Sequence, residues 1–262
     1  MTRFAVFGLG EAGSEIAAGL VAAGAQVSAF DPAPVATPVG VGRFDSPVEA
    51  VDGAAVVLGV TAAADAMTAL TQALDAIAAG AVYADLSTSS AGAKRALADV
   101  AGGGGLGFVD VALMATVPGK GLVVAALASG PAAGAFVDTM APLGMPVTAV
   151  GDDAGLAAAR KLLRSVVMKG LAGLVIEAMR AAEAAGLAGE TWSHLVDQVT
   201  AADGELLRRL VEGTGTHAER RLREMESTAQ LLAELGVDPV MTRGTIDGLR
   251  RALVEGVPDL PG

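Results

Sequence analysis

The fold is decided near the start of the chain by residues 4–31, FAVFGLGEAGSEIAAGLVAAGAQVSAFD. Two short apolar segments enclose a glycine-rich turn and an Ala- and Leu-rich segment, which predicts strand, turn, helix and strand. Gly8 permits the tight turn, Gly10 lets the backbone approach a pyrophosphate, and Gly13 lets the helix pack closely on the strand. The start of the helix offers N–H groups and a positive dipole end to phosphate. This order predicts a dinucleotide-binding site; an ordinary βαβ turn is the alternative.

Asp31 ends the second predicted strand at about the distance from the glycines, roughly 20 residues, at which a ribose-binding carboxylate is found. Its carboxylate would accept a hydrogen bond from a ribose 2′-OH and repel a 2′-phosphate. The next four residues, PAPV, contain no Arg or Lys. NAD is therefore favoured over NADP, and Arg43 could complicate this preference if its loop folds back. The cofactor-binding candidates in this motif are Gly8, Leu9, Gly10, Glu11, Ala12, Gly13 and Asp31.

The composition is typical of a soluble enzyme and argues against several other classes. The chain has 262 residues, a hydrophobic content of 52% and a net charge of −11. That charge argues against nucleic acid and anionic membrane surfaces as partners. The absence of cysteine excludes disulfides, thiolate catalysis and Cys-ligated zinc. The first residues lead directly into a strand and do not resemble a signal peptide, so we expect a cytoplasmic protein without a membrane span.

Strands alternate with helices until about residue 150, and helices alone follow. The predicted fold class is α/β, with a Rossmann-type doubly wound parallel sheet (residues 1–150) followed by a smaller all-helical domain (residues 151–262). Ligands of such sheets bind at the carboxyl ends of the strands. Thr61, Ser87, Thr88 and Met114 fall at such ends. The prediction includes a helix over 62–78, a flexible break at 102–105, a strand over 122–129 and one long helix from Gly155 to about Ala185.

The long helix carries the clearest candidate for acid–base chemistry. Lys161, Arg164 and Ser165 share one helix face because they are three and four residues apart. A lysine among apolar neighbours can have a lowered pKa and act as an acid or base. The alternative is a surface lysine whose stem covers apolar neighbours.

A second polar helix face begins at His217, which has Arg221 and Glu224 beside it at spacings of four and three. This face could close over an active site of its own or of a partner subunit, or could simply be solvated. No cluster of His, Asp and Glu has the spacing of metal ligands, so no metal is expected.

The chain resembles the β-hydroxyacid dehydrogenase superfamily, which includes 3-hydroxyisobutyrate and 6-phosphogluconate dehydrogenases, over nearly its whole length. The C-terminal part resembles more narrowly the group with a phosphogluconate-dehydrogenase-type C-terminal domain of poorly defined function. The segments that carry the resemblance are Gly8–Gly13, Thr61, Asp85–Thr88, Asp110 to Gly121, Gly155 to Gly170 and His217 to Met225.

The resemblance implies roles for several of the candidate residues. Lys161 falls where the superfamily has its catalytic lysine, and Thr61 and Thr88 fall where it contacts the nicotinamide side of NAD. Arg223 falls where the superfamily has a lysine that reaches the cofactor. The substrate-binding candidates are Met114, Ala115, Thr116, Arg164, Ser165 and His217.

Two departures argue for a different substrate pocket. Met114-Ala115-Thr116 stands where the superfamily has Ser-Gly-Gly, and Arg164 and Ser165 replace an asparagine pair. The backbone N–H groups of the first segment, and the Arg164 guanidinium, could still hold a carboxylate.

The resulting expectation is an NAD-dependent dehydrogenase of a small 3-hydroxy acid, a carboxylate substrate, with Lys161 as acid and base. One alternative is an imine reductase on the same scaffold. Such enzymes resemble this family but commonly have Asp or Tyr at the position of Lys161, so the lysine argues against this alternative. The other is a non-catalytic NAD-binding protein. Because the long apolar helix cannot bury all its faces within so small a helical domain, we also expect a homodimer through that domain.

Overall fold

The computed structural model describes residues 2–261, which form two compact units. A sheet unit runs to Arg164 and a helical unit begins at Ser165, so the division falls inside a long helix. The sequence places its boundary earlier, near residue 150, where the last strand ends. In the part of the chain described, the strands are β1 (Arg3–Phe7), β2 (Gln26–Phe30), β3 (Gly42–Arg43), β4 (Val56–Gly59), β5 (Val82–Asp85), β6 (Gly107–Leu113), β7 (Ala126–Ser129) and β8 (Val147–Ala149).

Helices connect the strands and make up the C-terminal part. They are α1 (Glu11–Ala22), α2 (Pro47–Ala50), α3 (Ala66–Thr71), α4 (Ala91–Gly103), α5 (Ala133–Met140), α6 (Leu156–Ala184), α7 (Ala188–Thr200), α8 (Gly204–Glu234) and α9 (Val240–Glu255). Short 3₁₀ turns lie at Leu74–Ala76, Gly121–Val123 and Ala141–Leu143.

The strands of the described residues form one sheet in the order β3-β2-β1-β4-β5-β6-β7-β8. All neighbouring pairs are parallel except β6 and β7, which are antiparallel. The predicted α/β fold class is therefore confirmed, with one antiparallel pair inside a sheet predicted to be parallel throughout. This pair arises because only a short segment, not a full crossover helix, separates β6 from β7.

Both faces of the sheet are covered, as its continuous apolar strands require. Phe4 and Val6 of β1 belong to one buried cluster with side chains of α1 and α5. The intervening Ala5 and Phe7 point to the other face and belong to a second cluster with side chains of α2, α3 and α4. Alternate side chains of this one strand therefore contribute to the apolar clusters on both faces of the sheet.

Three sequence predictions in the sheet unit are wrong in detail. The helix predicted over 62–78 is instead the shorter α3 followed by a 3₁₀ turn at Leu74–Ala76. The backbone becomes extended at Ile77, and the Ile77 side chain packs in the second apolar cluster. The strand predicted over 122–129 begins only at Ala126, because the chain makes a 3₁₀ turn first. The break predicted at 102–105 begins only after Gly103, because α4 continues to that residue.

The helical unit is built around α6, α8 and α9. Glu177 of α6 accepts hydrogen bonds from the backbone N–H groups of Met241 (2.7 Å) and Thr242 (2.9 Å), and so satisfies the first turn of α9. Arg250 of α9 pairs with Glu226 of α8 at 3.0 Å. α8 is kinked at His217, whose φ of −124° and ψ of 22° are not helical.

Candidate active site

The glycine-rich turn between β1 and α1 places its three glycines in different surroundings. Gly8 has a φ of +93°, and a Cβ there would lie 2.3 Å from the Val60 carbonyl oxygen. A Cβ on Gly13 would lie 1.9 Å from the Gly8 carbonyl oxygen, so α1 packs against the turn without room for a side chain. A Cβ on Gly10 would meet nothing within 4 Å. Two glycines are thus needed for packing, and the third leaves backbone open to an incoming group.

A cleft of about 340 Å³ opens beside this turn at the carboxyl ends of β1, β2 and β4. Its lining includes Gly10, Asp31 and Thr61. The Thr61 hydroxyl oxygen is buried and has no hydrogen-bond partner among residues 2–261. A buried hydroxyl without a partner is costly, so a polar group that enters the cleft would be stabilised there. The open backbone at Gly10 and this hydroxyl fit a dinucleotide with its pyrophosphate at the start of α1.

Asp31 is fixed from both sides at the end of β2. Its Oδ2 accepts a hydrogen bond from the Leu9 N–H (2.6 Å) and its Oδ1 accepts one from the Ala33 N–H (2.8 Å). The loop that carries Arg43 does fold back, and the Arg43 guanidinium donates to the carbonyl oxygens of Asp31 and Val35, among others. The carboxylate still lines the cleft and retains lone pairs for a ribose hydroxyl.

Lys161 of α6 contacts Thr88, which lies just after β5. The Lys161 ammonium donates to the Thr88 hydroxyl at 2.9 Å, although the two residues are far apart in sequence. Thr88 follows β5, and β5 pairs in parallel with β4, which leads into Thr61. Partial burial lowers the pKa of Lys161 below its ordinary value, and the positive charges of Lys94 and Arg164 lower it further, while Asp110 opposes the shift. The environment therefore favours a lysine that can release a proton.

Beneath Lys161 lies a buried charge cluster that sequence reasoning missed. The Lys94 ammonium contacts Asp85 Oδ2 at 2.5 Å and Asp110 Oδ1 at 3.0 Å, and all three side chains are fully buried. The Lys94 ammonium also donates to the Asp85 carbonyl oxygen at 2.8 Å. A signal was present in the sequence, because Lys94 shares a helix face with Leu97 and Ala101, the buried residues of α4.

The cluster also anchors the start of α6. Asp110 Oδ2 accepts a hydrogen bond from the Ala158 N–H at 2.8 Å. The Ser129 hydroxyl accepts one from the Ala157 N–H at 2.9 Å and lies 3.3 Å from Asp110 Oδ2. Two N–H groups of the first helical turn are thus satisfied by side chains from β6 and β7. Lys161 is one turn further along the helix, so this anchor sets its position.

The loop after β6 contains three of the substrate-binding candidates. Ala115 and Thr116 are exposed and Met114 is half-buried. The Arg164 guanidinium donates to the Met114 carbonyl oxygen at 2.9 Å. Further along, Glu15 of α1 accepts hydrogen bonds from the N–H groups of Gly119 (3.2 Å) and Gly121 (3.1 Å). The loop is therefore held at both ends, by α6 and by the helix of the glycine-rich turn.

The remaining candidates lie in the helical unit. Ser165 is half-buried at its start, in α6. Arg223 lies on an exposed face of α8 and pairs with Glu219 one turn away. His217 is exposed at the kink of the same helix. Their roles stay predictions.

Two other kinds of feature are absent among residues 2–261. No group of three or more His, Asp or Glu side chains there could hold a metal ion. No helix in that range is long and apolar enough to cross a membrane.

Two families match the chain. Residues 3–151 match the NAD binding domain of 6-phosphogluconate dehydrogenase, and residues 182–252 match a domain of unknown function (DUF1932). No curated protein matches significantly. The two matches bear out the resemblance drawn from the sequence, including the distinct C-terminal group.

Solved structures share the fold across almost the whole chain. A conserved protein of unknown function, described as structurally similar to 3-hydroxyacid dehydrogenases, is 27% identical, with 98% of this chain and 100% of that one covered and a TM-score of 0.63. A Streptomyces aurantiacus imine reductase is 22% identical, with coverage of 98% and 96% and a TM-score of 0.81.

A Myxococcus stipitatus imine reductase matches in two forms. Its V8 variant in complex with NAD+ is 20% identical, with coverage of 98% and 95% and a TM-score of 0.80. The form in complex with NADP+ is 20% identical, with coverage of 97% and 95% and a TM-score of 0.78. Because the match over residues 3–151 spans more than half of the sequence, the chain belongs to the family defined by the NAD binding domain of 6-phosphogluconate dehydrogenase.

Proposed function

We propose that the protein is an NAD(P)-dependent oxidoreductase, and more narrowly an NAD-dependent dehydrogenase of a small 3-hydroxy acid with Lys161 as its acid and base. The observation that carries the proposal is the contact of Lys161 with Thr88, which puts an ammonium of lowered pKa at the carboxyl end of a sheet with a dinucleotide cleft. Perturbed lysines at such positions are candidates for proton transfer.

The cofactor would be held by the backbone of the glycine-rich turn, by Asp31 and by the Thr61 hydroxyl. A bound nicotinamide dinucleotide would supply hydride transfer. Proteins of this fold are described in complex with NAD+ and with NADP+, so the fold alone does not select between them. Asp31 supports NAD, because a carboxylate accepts from a 2′-OH and repels a 2′-phosphate.

Lys161 would handle the proton. In its neutral form the amine accepts the proton of the substrate hydroxyl, and in the reverse direction the ammonium returns a proton to the carbonyl oxygen. Partial burial, followed by the positive charges of Lys94 and Arg164, lowers the pKa of Lys161 and so favours the neutral amine at lower pH than an isolated lysine allows. The Thr88 hydroxyl accepts from the ammonium and so orients it.

The carboxylate of the substrate would bind at the loop after β6. The Gly119 N–H donates to Glu15, which leaves the part of the loop around Ala115 and Thr116 as the subsite. Arg164 donates one hydrogen bond to the Met114 carbonyl, and its planar fork has further N–H groups for a carboxylate.

Imine reduction is a second candidate, favoured by the TM-scores of 0.81 and 0.80 to imine reductases. An ammonium at Lys161 could also donate a proton to a substrate nitrogen. The charge of Lys161 and the guanidinium of Arg164 nevertheless suit a carboxylate substrate better than a cationic iminium.

The test measures NADH or NADPH formation with a panel of 3-hydroxy acids, and NADH or NADPH consumption with a panel of cyclic imines. Lys161→Ala should lower kcat about 10²-fold or more while the Kd for NAD stays nearly unchanged. Lys169→Ala, an exposed lysine on the same helix, is the matched control. In the oxidation direction, kcat should rise with pH through the lowered pKa of Lys161, because only the neutral amine accepts a proton.

Each other outcome has a definite meaning. Near-normal turnover in Lys161→Ala would remove Lys161 from the mechanism. Turnover of imines alone would replace the dehydrogenase by the reductase. NAD binding without turnover of either panel would favour a non-catalytic NAD-binding protein.

We further propose a homodimer through the helical unit. Large apolar side chains of α6 and α7 are exposed, among them Val166 (70%), Val167 (64%) and Trp192 (54%). Exposed apolar surface of this extent is typical of an interface.

A further inference from the structure

We propose that Arg43 is a positioning residue for cofactor selection, which locks the loop after β2 so that a ribose hydroxyl meets Asp31 and a 2′-phosphate meets no donor. This inference rests on the proposed binding of NAD. It concerns only residues 31–43 of the sheet unit, which the cofactor cleft adjoins.

The two-residue strand β3 positions Arg43 beside this loop. β3 pairs in parallel with the edge of β2, and Arg43 lies opposite Ala29. Its side chain therefore reaches the segment that follows the end of β2. There, Nη2 donates to the carbonyl oxygens of Asp31 (2.8 Å) and Ala33 (2.6 Å), and Nη1 donates to that of Val35. A long fourth contact of 3.5 Å joins Nη1 to the Thr37 hydroxyl.

The Arg43 guanidinium therefore directs its hydrogen bonds to the loop. Its two Nη atoms carry four N–H groups, and all four are directed at loop oxygens. Arg43 is half-buried and does not line the cofactor cleft, whereas Asp31 and Pro32 do. The guanidinium is therefore engaged by the loop backbone and is not among the groups that line the cleft.

The first part of the loop, residues 32–35, has no N–H group left for a phosphate. Pro32 and Pro34 have none. The Ala33 N–H donates to Asp31 Oδ1 and the Val35 N–H donates to the Ala33 carbonyl oxygen. A phosphate at this position would lie against the Asp31 carboxylate without an N–H donor from residues 32–35, and the two negative charges would repel each other. A hydroxyl would instead find an acceptor already held in place.

The proposal predicts what happens when the lock is removed. Without the guanidinium, three carbonyl oxygens lose a charged donor, and the loop no longer holds Asp31 in one position. Affinity for NADH should then fall about tenfold or more, since a hydrogen bond to a charged group is worth more than a neutral one. NADPH, which binds weakly to begin with, should lose little, so the NADH-to-NADPH affinity ratio should shrink.

The experiment is fluorescence titration of the full chain with NADH and with NADPH. The variants are Arg43→Ala and Arg43→Lys, and the control is Arg3→Ala. Arg3 also donates to a backbone carbonyl, that of Asp52 at 3.2 Å, but from the start of β1 and thus from the opposite end of the sheet. Arg43→Lys separates two roles, because lysine binds phosphate well as a point charge but cannot bridge three carbonyls.

The expected result is a similar loss of NADH affinity in Arg43→Ala and Arg43→Lys, with no change in Arg3→Ala. A loss of NADPH affinity in Arg43→Ala that Arg43→Lys restores, with NADH unaffected, would mean that Arg43 swings out to bind a 2′-phosphate and would overturn the proposal. Unchanged affinities in both variants would also overturn it while leaving the proposed function intact. A wild-type protein that binds neither nucleotide would overturn the proposed function as well.

Discussion

The two units of the chain differ in how far each can bury its own side chains. Both large apolar clusters belong to the sheet unit, where even the Lys94 ammonium is fully enclosed. In the helical unit, α7 has no buried residue, and Trp192 and Val199 are more than half exposed. A sheet covered on both faces completes its own core, whereas a few amphipathic helices leave apolar stripes that need a partner. The site chemistry and the proposed assembly are therefore expected to reside in different units.

The largest expected effect on the stability of the sheet unit comes from the buried charge cluster of Lys94, Asp85 and Asp110. Lys94→Met removes the cation and leaves the carboxylates of Asp85 and Asp110 buried together, so the free energy of unfolding should fall by about 3–5 kcal/mol. Hydrogen exchange read by mass spectrometry at increasing urea concentrations gives the midpoint for β4 to β6. The fluorescence of Trp192, the single tryptophan, follows the helical unit separately.

Lys120→Met is the control, because Lys120 is exposed. Equal midpoints for the two variants would mean that the cluster contributes no stability and that the sheet depends on apolar packing alone.

The helical unit is tested by placing a charge on its exposed apolar surface. Val166→Glu should weaken the proposed dimer by about 2 kcal/mol, a roughly thirtyfold rise in the dissociation constant, because the carboxylate would be buried without a partner. Size-exclusion chromatography with light scattering should give twice the chain mass of 25.8 kDa for the wild type and a lower mass for the variant.

Val39→Glu provides the comparison, since Val39 is 96% exposed in the sheet unit and should leave the mass unchanged. A monomeric wild type at micromolar concentration would refute the dimer, and the exposed surface would then need another explanation.

The sequence predicts the fold around the glycine-rich turn because its signals are local, while the cofactor-binding roles of its residues stay predictions. The glycines at 8, 10 and 13 lie within one turn, and the strand, turn, helix and strand predicted for residues 4–31 agree with β1, α1 and β2. The fold class and the family resemblance are confirmed for the same reason, as they follow from the order of strands and helices. Local signals do not predict that the loop with Arg43 folds back, because this depends on the pairing of β3 with β2.

The acid–base end was harder to predict because its partners come from distant elements. Asp85, Lys94 and Asp110 stand on β5, α4 and β6, and nothing in the sequence indicates that they meet. Lys94 follows a pattern that also fits a solvated lysine, and only burial distinguishes the two. The role of Arg223 rests on the resemblance and that of His217 on the spacing of a polar helix face as well, and both stay predictions.

The smallest expected effects come from the helix caps, and they test whether the two units unfold independently. The Ser90 hydroxyl accepts from the Ala93 N–H at 3.2 Å at the start of α4, and Asp203 Oδ1 accepts from the Leu206 N–H at 2.8 Å at the start of α8. Replacing either by alanine should cost about 1 kcal/mol, with Asp203 the larger because its charge also favours the helix dipole. Hydrogen exchange should locate each loss in its own unit. If Asp203→Ala also exposed the amides of β4 to β6, the chain would unfold as one cooperative block, and the contrast between a self-sufficient sheet and a partner-dependent helical unit would not hold.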